Sequence, residues 1–422
     1  MNVLVVAYYY PPLESGGTQR PSMMAKYLPR FGHRVTVLSH TYGRSDVLEG
    51  GVLRVRDVSH NLHRKGFGGL CWLGLRISGE AANLLGRYDS IYSSWRRRVL
   101  SLSDAIIAAA NPDAVLATYP PVEDFEIGLD LSERYGLPLV GDFRDGLLFE
   151  AIERRRMDRH RCVADHYSRV EAAVAERSAS LVTAFPALSD YLDETYGRPD
   201  VVTIPNGFDP EDYEGLGMSD LLETKHFNIV HTGRFGGSYS GMDVRPLCTA
   251  IRSLLAEDPD LAHRVRLHLV GSIEDHERRS CADLIRRGVV VEHGNQPRPV
   301  ALAAQAEADA LLLLTTRDRP GNAPGKLFEY LRAGRPILAL TSHSYAGEIV
   351  LQTATGSCAD PDDPAAIAGL LRDVVTSGRR AGEMRPDEEQ INRFSRSEQM
   401  RQLADVLEVA RSPKKPPLNT SP

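Results

Sequence analysis

Twice along this chain, short apolar runs of strand length alternate with longer stretches of helical periodicity. An apolar run bounded by turn residues and followed by an amphipathic stretch is a βα unit, and successive units build a parallel sheet covered by helices. In the first half, strands are predicted at Val3–Ala7, Arg34–Ser39, Ala114–Thr118, Leu139–Gly141, Leu181–Thr183 and Val201–Ile204. Helices are predicted between them at Thr18–Leu28, Leu102–Ala110, Val122–Arg134 and Val163–Arg177. After Lys225 the rhythm restarts, with strands at Phe227–His231, Val265–Val270, Val289–Glu292, Ala310–Leu314 and Ile337–Ala339. Its helices are expected at Val244–Ala256, Cys281–Arg286, Val300–Ala306, Lys326–Arg332 and Ile367–Val375. At 422 residues the chain exceeds what one hydrophobic core supports, so the pattern reads as two α/β domains. The aperiodic stretch Pro205–Thr224, carrying Pro, Gly and acidic residues, is read as the linker. The expected division is 1–205, 206–396, a helix over 397–410 that either finishes the second domain or crosses back, and a disordered tail over 411–422.

Several function classes fall away on charge and composition. A formal net charge of −6 gives no support to a nucleic-acid binder. Cys71, Cys162, Cys248, Cys281 and Cys358 are odd in number and scattered, which argues against a disulfide framework and a zinc site and fits a reducing cytoplasm. The start Met1–Ala7 lacks the features of a signal peptide, and no 18-residue apolar run is present. A cytoplasmic location is therefore expected. Residues 66–100 are the least regular block: Phe67, Leu70, Trp72, Leu73, Leu75 and Ile77 precede Tyr88, Tyr92, Trp95 and Arg96–Arg98. They read either as a packed helical pair or as an aromatic and basic surface that meets an acceptor or the inner face of a membrane.

Two segments carry chemistry. The first strand runs through Tyr8–Tyr10 and two prolines into Gly16–Gly17 and a helix start. Such a loop presents backbone N–H groups at the carboxyl edge of a sheet, and glycines let a ligand approach; the alternative is an ordinary βα turn. It is not G-x-G-x-x-G, which disfavours a nicotinamide dinucleotide. The second segment is Asn322-Ala323-Pro324-Gly325-Lys326-Leu327-Phe328-Glu329-Tyr330-Leu331-Arg332-Ala333-Gly334-Arg335-Pro336. It reads as a loop, a helix with Lys326 and Glu329 in its first turns, and a glycine stop. Helix N-terminus and lysine together favour a diphosphate, and Glu329 is placed to accept from vicinal hydroxyls such as those of a ribose. Only six of the 50 basic residues are lysines, so a lysine here hints at a need for a compact charge. The alternative is an i,i+3 ion pair on a solvated face. Asp258-Pro259-Asp260 and Asp360-Pro361-Asp362 read as turns rather than metal sites, and no carboxylate pair suggests a glycosidase dyad.

The second segment resembles the donor-binding run P-[SG]-K-x-x-E-Y-L-x-x-G-[KR]-P of the family-four retaining glycosyltransferases, particularly the bacterial ones. Further pieces agree in order: Val140–Gly146, Ile204–Asp209, His231-Thr232-Gly233-Arg234, Leu269-Val270-Gly271 and Val291–Gly294. The resemblance implies the GT-B fold, two Rossmann-like domains with parallel sheets facing across a cleft. It also implies a nucleotide-diphosphate sugar, UDP-linked by family frequency, whose hexosyl or N-acetylhexosaminyl unit passes with retention and without a metal or other cofactor to a hydroxyl acceptor. Arg234 and Lys326 would neutralise the diphosphate, with Gly16 and Gly17 facing it from the first domain. Gly233, Asn322, Gly325, Leu327, Glu329 and His293 would complete donor binding, and Tyr119, Arg144 and Asp145 would serve the acceptor. The acceptor itself is open among a saccharide, a lipid-linked sugar and a small metabolite. Three departures stand out: Gly321 where many members carry a second glutamate, no lysine in 235–241, and Arg144 at a frequent histidine position. They bear on the donor sugar and leave fewer residues in the clamp. A non-catalytic sugar-nucleotide-binding partner and a GT-B sugar-nucleotide epimerase remain alternatives.

Overall fold

The computed structural model describes residues 1–13, 16–41, 43, 45–57, 79–236, 243–315, 319–341, 343–377 and 386–411. The predicted positions Phe67, Leu70, Trp72, Leu73, Leu75 and Ile77, the lysine-free loop at 237–241 and the tail from Ser412 lie outside the described residues. Arg411, assigned from sequence to that tail, ends the helix Arg396–Arg411 instead.

The chain divides into two compact units, 1–205 with 399–422, and 206–398. In the first, β1 (Asn2–Val6), β2 (Arg34–Thr41), β3 (Val52–Arg56), β4 (Ala114–Tyr119), β5 (Leu139–Phe143), β6 (Ser180–Thr183) and β7 (Val202–Thr203) form one sheet in the order β3-β2-β1-β4-β5-β6-β7. All of its pairings are parallel. The second sheet has the order β10-β9-β8-β11-β12-β13, again parallel, with β8 (Phe227–Thr232), β9 (Val265–Val270), β10 (Val290–Glu292), β11 (Ala310–Leu314), β12 (Ile337–Leu340) and β13 (Gly356–Ala359). Apolar strands such as Ala-Leu-Leu-Leu-Leu in β11 are buried throughout, as sheets covered on both faces require. In each sheet the chain reverses direction of growth beside one strand, β1 in the first and β8 in the second. Ligands of open α/β sheets bind at the carboxyl ends of strands at such switch points.

The helix Arg396–Arg411 belongs with the first unit from Gln399 onward. Met400, Leu403 and Leu407 are fully buried in the cluster that also holds Val3, Val5, Met24, Tyr27 and Val37. Buried Arg20, in the helix Gln19–Tyr27, ties this unit together from within. Its guanidinium pairs with Asp142 of β5 at 2.7 Å and donates to the Ile204 and Pro205 carbonyls at 2.8 and 3.1 Å. Asp142 also accepts from the Thr118 hydroxyl at 2.7 Å, so the buried charges are hydrogen-bonded on both sides.

In the described part of the irregular block, the helix Ser93–Ser101 packs rather than presenting a surface. Trp95 is wholly buried, Arg96 pairs with Glu126 and Asp130, and Arg98 pairs with Asp46.

Candidate active site

In the second unit the site grows from the end of β8. Val230, His231 and Thr232 are buried, then Gly233 turns with φ +83° and donates its N–H to the Val270 carbonyl at 2.8 Å. Beside this turn begins the helix Gly325–Ala333, N-capped by Pro324. Leu327 N–H closes on the Pro324 carbonyl at 2.9 Å, which leaves the Gly325 and Lys326 amides without intrahelical acceptors. Tyr330 of the same helix is buried, and its phenol oxygen accepts from Thr232 N–H at 2.9 Å, locking the helix to the strand end.

Lys326 Nζ lies 3.1 Å from His231 Nε2 and 3.2 Å from the Arg234 carbonyl. The ring of His231 also faces the Leu312 carbonyl of β11 through Nδ1 at 2.9 Å. Burial, and then the neighbouring Lys326 charge, push the His231 pKa down to about 3, so the ring is neutral. Nε2 also lies 3.0 Å from the Arg234 carbonyl, which a proton there would serve, whereas the tautomer protonated on Nδ1 donates to Leu312 and offers Nε2 to the ammonium. The lysine is therefore held by two neutral acceptors, and among the described residues it makes no ion pair with a carboxylate. Burial lowers its pKa to about 8, with Glu329 acting weakly the other way. A desolvated cation beside free helix amides at a switch point is an arrangement suited to an anion.

Glu329 is not the partner of Lys326, so the i,i+3 pair does not form. Its Oε1 meets Arg298 at 2.5 Å, and its Oε2 accepts from Gln305 at 3.0 Å. Arg298 continues to Asp212 at 2.8 Å, while Gln305 also donates to the Thr232 hydroxyl at 3.0 Å. The carboxylate is thus fixed from two sides with 12% of its side chain exposed, which leaves acceptor capacity toward solvent.

The other predicted donor residues divide. Gly233, Gly325 and the exposed Arg234 lie with Lys326, and half-buried Asn322 lies on the loop before the helix. Leu327 is a correction: its side chain is in the core and its amide is bonded to Pro324. His293 is also engaged elsewhere. Its Nε2 lies 2.9 Å from His268 Nδ1, and the other nitrogen of His268 faces Asn228 at 3.0 Å.

In the first unit, Gly16–Thr18 forms a 3-10 turn into the helix Gln19–Tyr27. A Cβ on Gly16 would meet open space, whereas one on Gly17 would lie 3.3 Å from Arg144 Nη1. Buried Arg144 donates to the Tyr119 carbonyl at 3.1 Å, the Pro120 carbonyl at 2.6 Å and the Gly17 carbonyl. Its role is to gather two backbone segments, at Gly17 and at Tyr119-Pro120, at the carboxyl edge of the sheet. Arg144→Lys, which replaces a planar fork by a point charge, should cost about 2 kcal/mol in urea unfolding. Unchanged stability would show that the carbonyls do not need the fork. Half-buried Asp145 follows it, and Asp142, Asp145 and Asp124 favour its charged form against burial. Tyr119 is corrected as an acceptor wall, because its ring is buried and stacked near Phe125 at 5.8 Å. Sequence reasoning missed Glu123, buried in the first turn of the helix Val122–Tyr135, whose carboxyl burial pushes up to about 7. An acidic first turn after Pro120-Pro121 was the available signal.

The Asp-Pro-Asp segments turn as expected: Asp260 N–H bonds Asp258 at 3.1 Å and Asp362 N–H bonds Asp360 at 2.9 Å. Among the described residues no helix is long and apolar enough to cross a membrane.

Comparison with known proteins now bears on these units. Residues 15–207 match the family described as "Glycosyl transferase 4-like domain", and residues 226–377 match "Glycosyl transferases group 1". No curated protein matches the chain. Among solved structures, the sucrose-phosphate synthase of Thermosynechococcus elongatus is similar at TM-score 0.66 and 12% identity, over 96% of this chain and 98% of its own. The α,α-trehalose-phosphate synthase (UDP-forming) of Burkholderia vietnamiensis reaches TM-score 0.64 at 14% identity, over 97% and 100%. Anabaena HepE in complex with UDP and glucose reaches 0.58 at 17%, over 97% and 99%. These identities speak for the fold alone, and the two family matches between them take in most of both units. With its two Rossmann-like parallel sheets, the chain belongs to the glycosyltransferases of the GT-B fold.

Proposed function

We propose that the second unit binds the diphosphate of a nucleotide sugar at Lys326 and the start of the Gly325–Ala333 helix. The single observation that carries this is the Lys326 ammonium, half-buried and held only by neutral acceptors beside unbonded amides. Arg234, exposed on the adjoining loop, adds a second positive charge. Glu329, oriented by Arg298 and Gln305, accepts from the ribose hydroxyls. Uridine is the base we assign, in keeping with the UDP in the HepE complex and the UDP-forming trehalose-phosphate synthases.

The reaction is transfer of a hexosyl or N-acetylhexosaminyl group to a hydroxyl of a saccharide, lipid-linked sugar or small metabolite, with retention. As the sugar–phosphate bond breaks, negative charge grows on the leaving diphosphate, and fixed donors aimed at that charge lower the barrier. The acceptor hydroxyl attacks from the leaving-group face and gives its proton to the departing phosphate. Lysine, arginine and helix amides supply the neutralisation, so the reading needs no metal ion.

Titration calorimetry with UDP and a panel of UDP-sugars, followed by transfer assays with the best binder, tests the reading. Glu329→Gln keeps the shape but weakens acceptance from hydroxyls, and should raise KM for the nucleotide sugar about tenfold with kcat little changed. Equal affinity of wild type and Glu329→Gln for UDP would remove the ribose assignment, and no affinity of the wild type for any nucleotide diphosphate would remove the whole reading.

A further inference from the structure

One corner of the first unit has features that sugar transfer does not explain. The helical residues 79–84 sit on the junction of the helices Arg154–Arg159 and Arg161–Arg177. Glu80 meets His160 at 2.8 Å and Arg159 at 3.5 Å, and the Cys162 thiol lies 3.3 Å from the Asn83 carbonyl. The last helical residue and the first of the turn present Leu84 and Leu85 side by side, 73% and 80% exposed, the only adjacent pair among the large exposed apolar residues described. A lone exposed leucine needs no explanation, but two neighbours projecting from a packed junction form an apolar tip.

Arginines are dense on the two helices that meet at this junction. The run Arg154-Arg155-Arg156-Met157-Asp158-Arg159-His160-Arg161 carries one acid against five arginines in a chain whose net charge is −6. Arg156 turns inward to the Asp89 carbonyl, whereas Arg154, Arg155, Arg159 and Arg161 are exposed, as is Arg87 beside the leucines. Arg161 meets Asp165 only at 3.6 Å with both side chains largely in water, a pair that holds little of its charge. Exposed leucines together with arginines complement the boundary between acyl chains and anionic headgroups. A nucleic-acid backbone would use the arginines and leave the leucines idle.

We propose that this corner docks on an anionic lipid bilayer, with Leu84 and Leu85 entering the headgroup boundary and Arg155, Arg159 and Arg161 meeting lipid phosphates. The test is co-sedimentation of the full chain with vesicles of phosphatidylcholine alone or mixed with phosphatidylglycerol, which reads no turnover and is separate from the transfer reading. Binding is expected only with phosphatidylglycerol and should fall with added salt. It should weaken about fivefold for each of Arg155→Ala and Arg161→Ala, and be lost in Leu84→Asp/Leu85→Asp with the melting temperature unchanged. No sedimentation of wild type, or equal binding of the leucine double variant, overturns the proposal. So does a leucine variant that instead changes the oligomeric state in sedimentation velocity, since the tip would then join copies of the chain. Equal retention of wild type and leucine variant on RNA, with no vesicle binding, would mark a plain polyanion surface and overturn it too.

Discussion

Lys326→Ala is expected to lower kcat with a nucleotide sugar by about two to three orders of magnitude while leaving the unfolding midpoint nearly unchanged. A unit charge about 4 Å from a phosphate is worth roughly 4 kcal/mol at an effective dielectric near 20, and most of that grows as the leaving group becomes more anionic. The fold loses little, because the ammonium is bound only to His231 and the Arg234 carbonyl. Arg234→Ala, which removes an exposed and water-screened cation, should cost only about tenfold. The same lysine sets a pH limb. Burial places its pKa at about 8 in the free protein, and only the protonated form attracts a diphosphate. As pH rises through 8 the charge is lost, so kcat/KM should fall up to tenfold per unit. Bound diphosphate stabilises the ammonium and raises its pKa, so the limb in kcat should lie at higher pH. In Lys326→Ala the limb near 8 should vanish. A variant that keeps near-normal turnover and the same alkaline limb would show that the charge acts elsewhere.

Much of this architecture was legible because parallel strands buried on both faces leave continuous apolar runs, as at β1, β8 and β11. β13 was not, since Gly-Ser-Cys-Ala has no apolar signal; it is a strand because Gly356 packs so close to Ile337 that a Cβ would sit 2.0 Å from its carbonyl oxygen. The helix of Lys326 and Glu329 was readable from its loop, lysine and glycine stop. What orients those side chains was not, because the partners are non-local: His231 lies 95 positions from Lys326, and Arg298 lies 31 from Glu329. Spacing alone joined lysine and glutamate, and tertiary contacts drew them to different neighbours. Tyr119 was misread for a related reason. All six residues of β4 are buried, so period-two alternation gives no hint of which face a side chain takes.

Gly271→Ala should be the most damaging single substitution near the site. Gly271 has φ +153°, and a Cβ there would lie 2.0 Å from the Gly233 carbonyl oxygen, 2.5 Å from its carbon and 2.8 Å from its Cα. All three are backbone atoms, so no side-chain rotation relieves the clash. Gly233 is confined in turn by φ +83° and by Lys326, whose Nζ would be 3.4 Å from any Cβ placed on it. The ends of β8 and β9 therefore touch through two glycines, and this contact fixes the turn whose next carbonyl, that of Arg234, holds the lysine. Overpacking and backbone strain together should cost about 4 kcal/mol or more, read as a lower urea midpoint for the second unit, and any folded fraction should bind UDP poorly. Gly325→Ala is the control, since a Cβ there meets nothing within 4 Å and alanine favours the helix; it should leave the midpoint unchanged or slightly raised. If Gly271→Ala unfolds like wild type and binds UDP as well, the two strand ends have room to separate, and the lysine is not positioned by their contact.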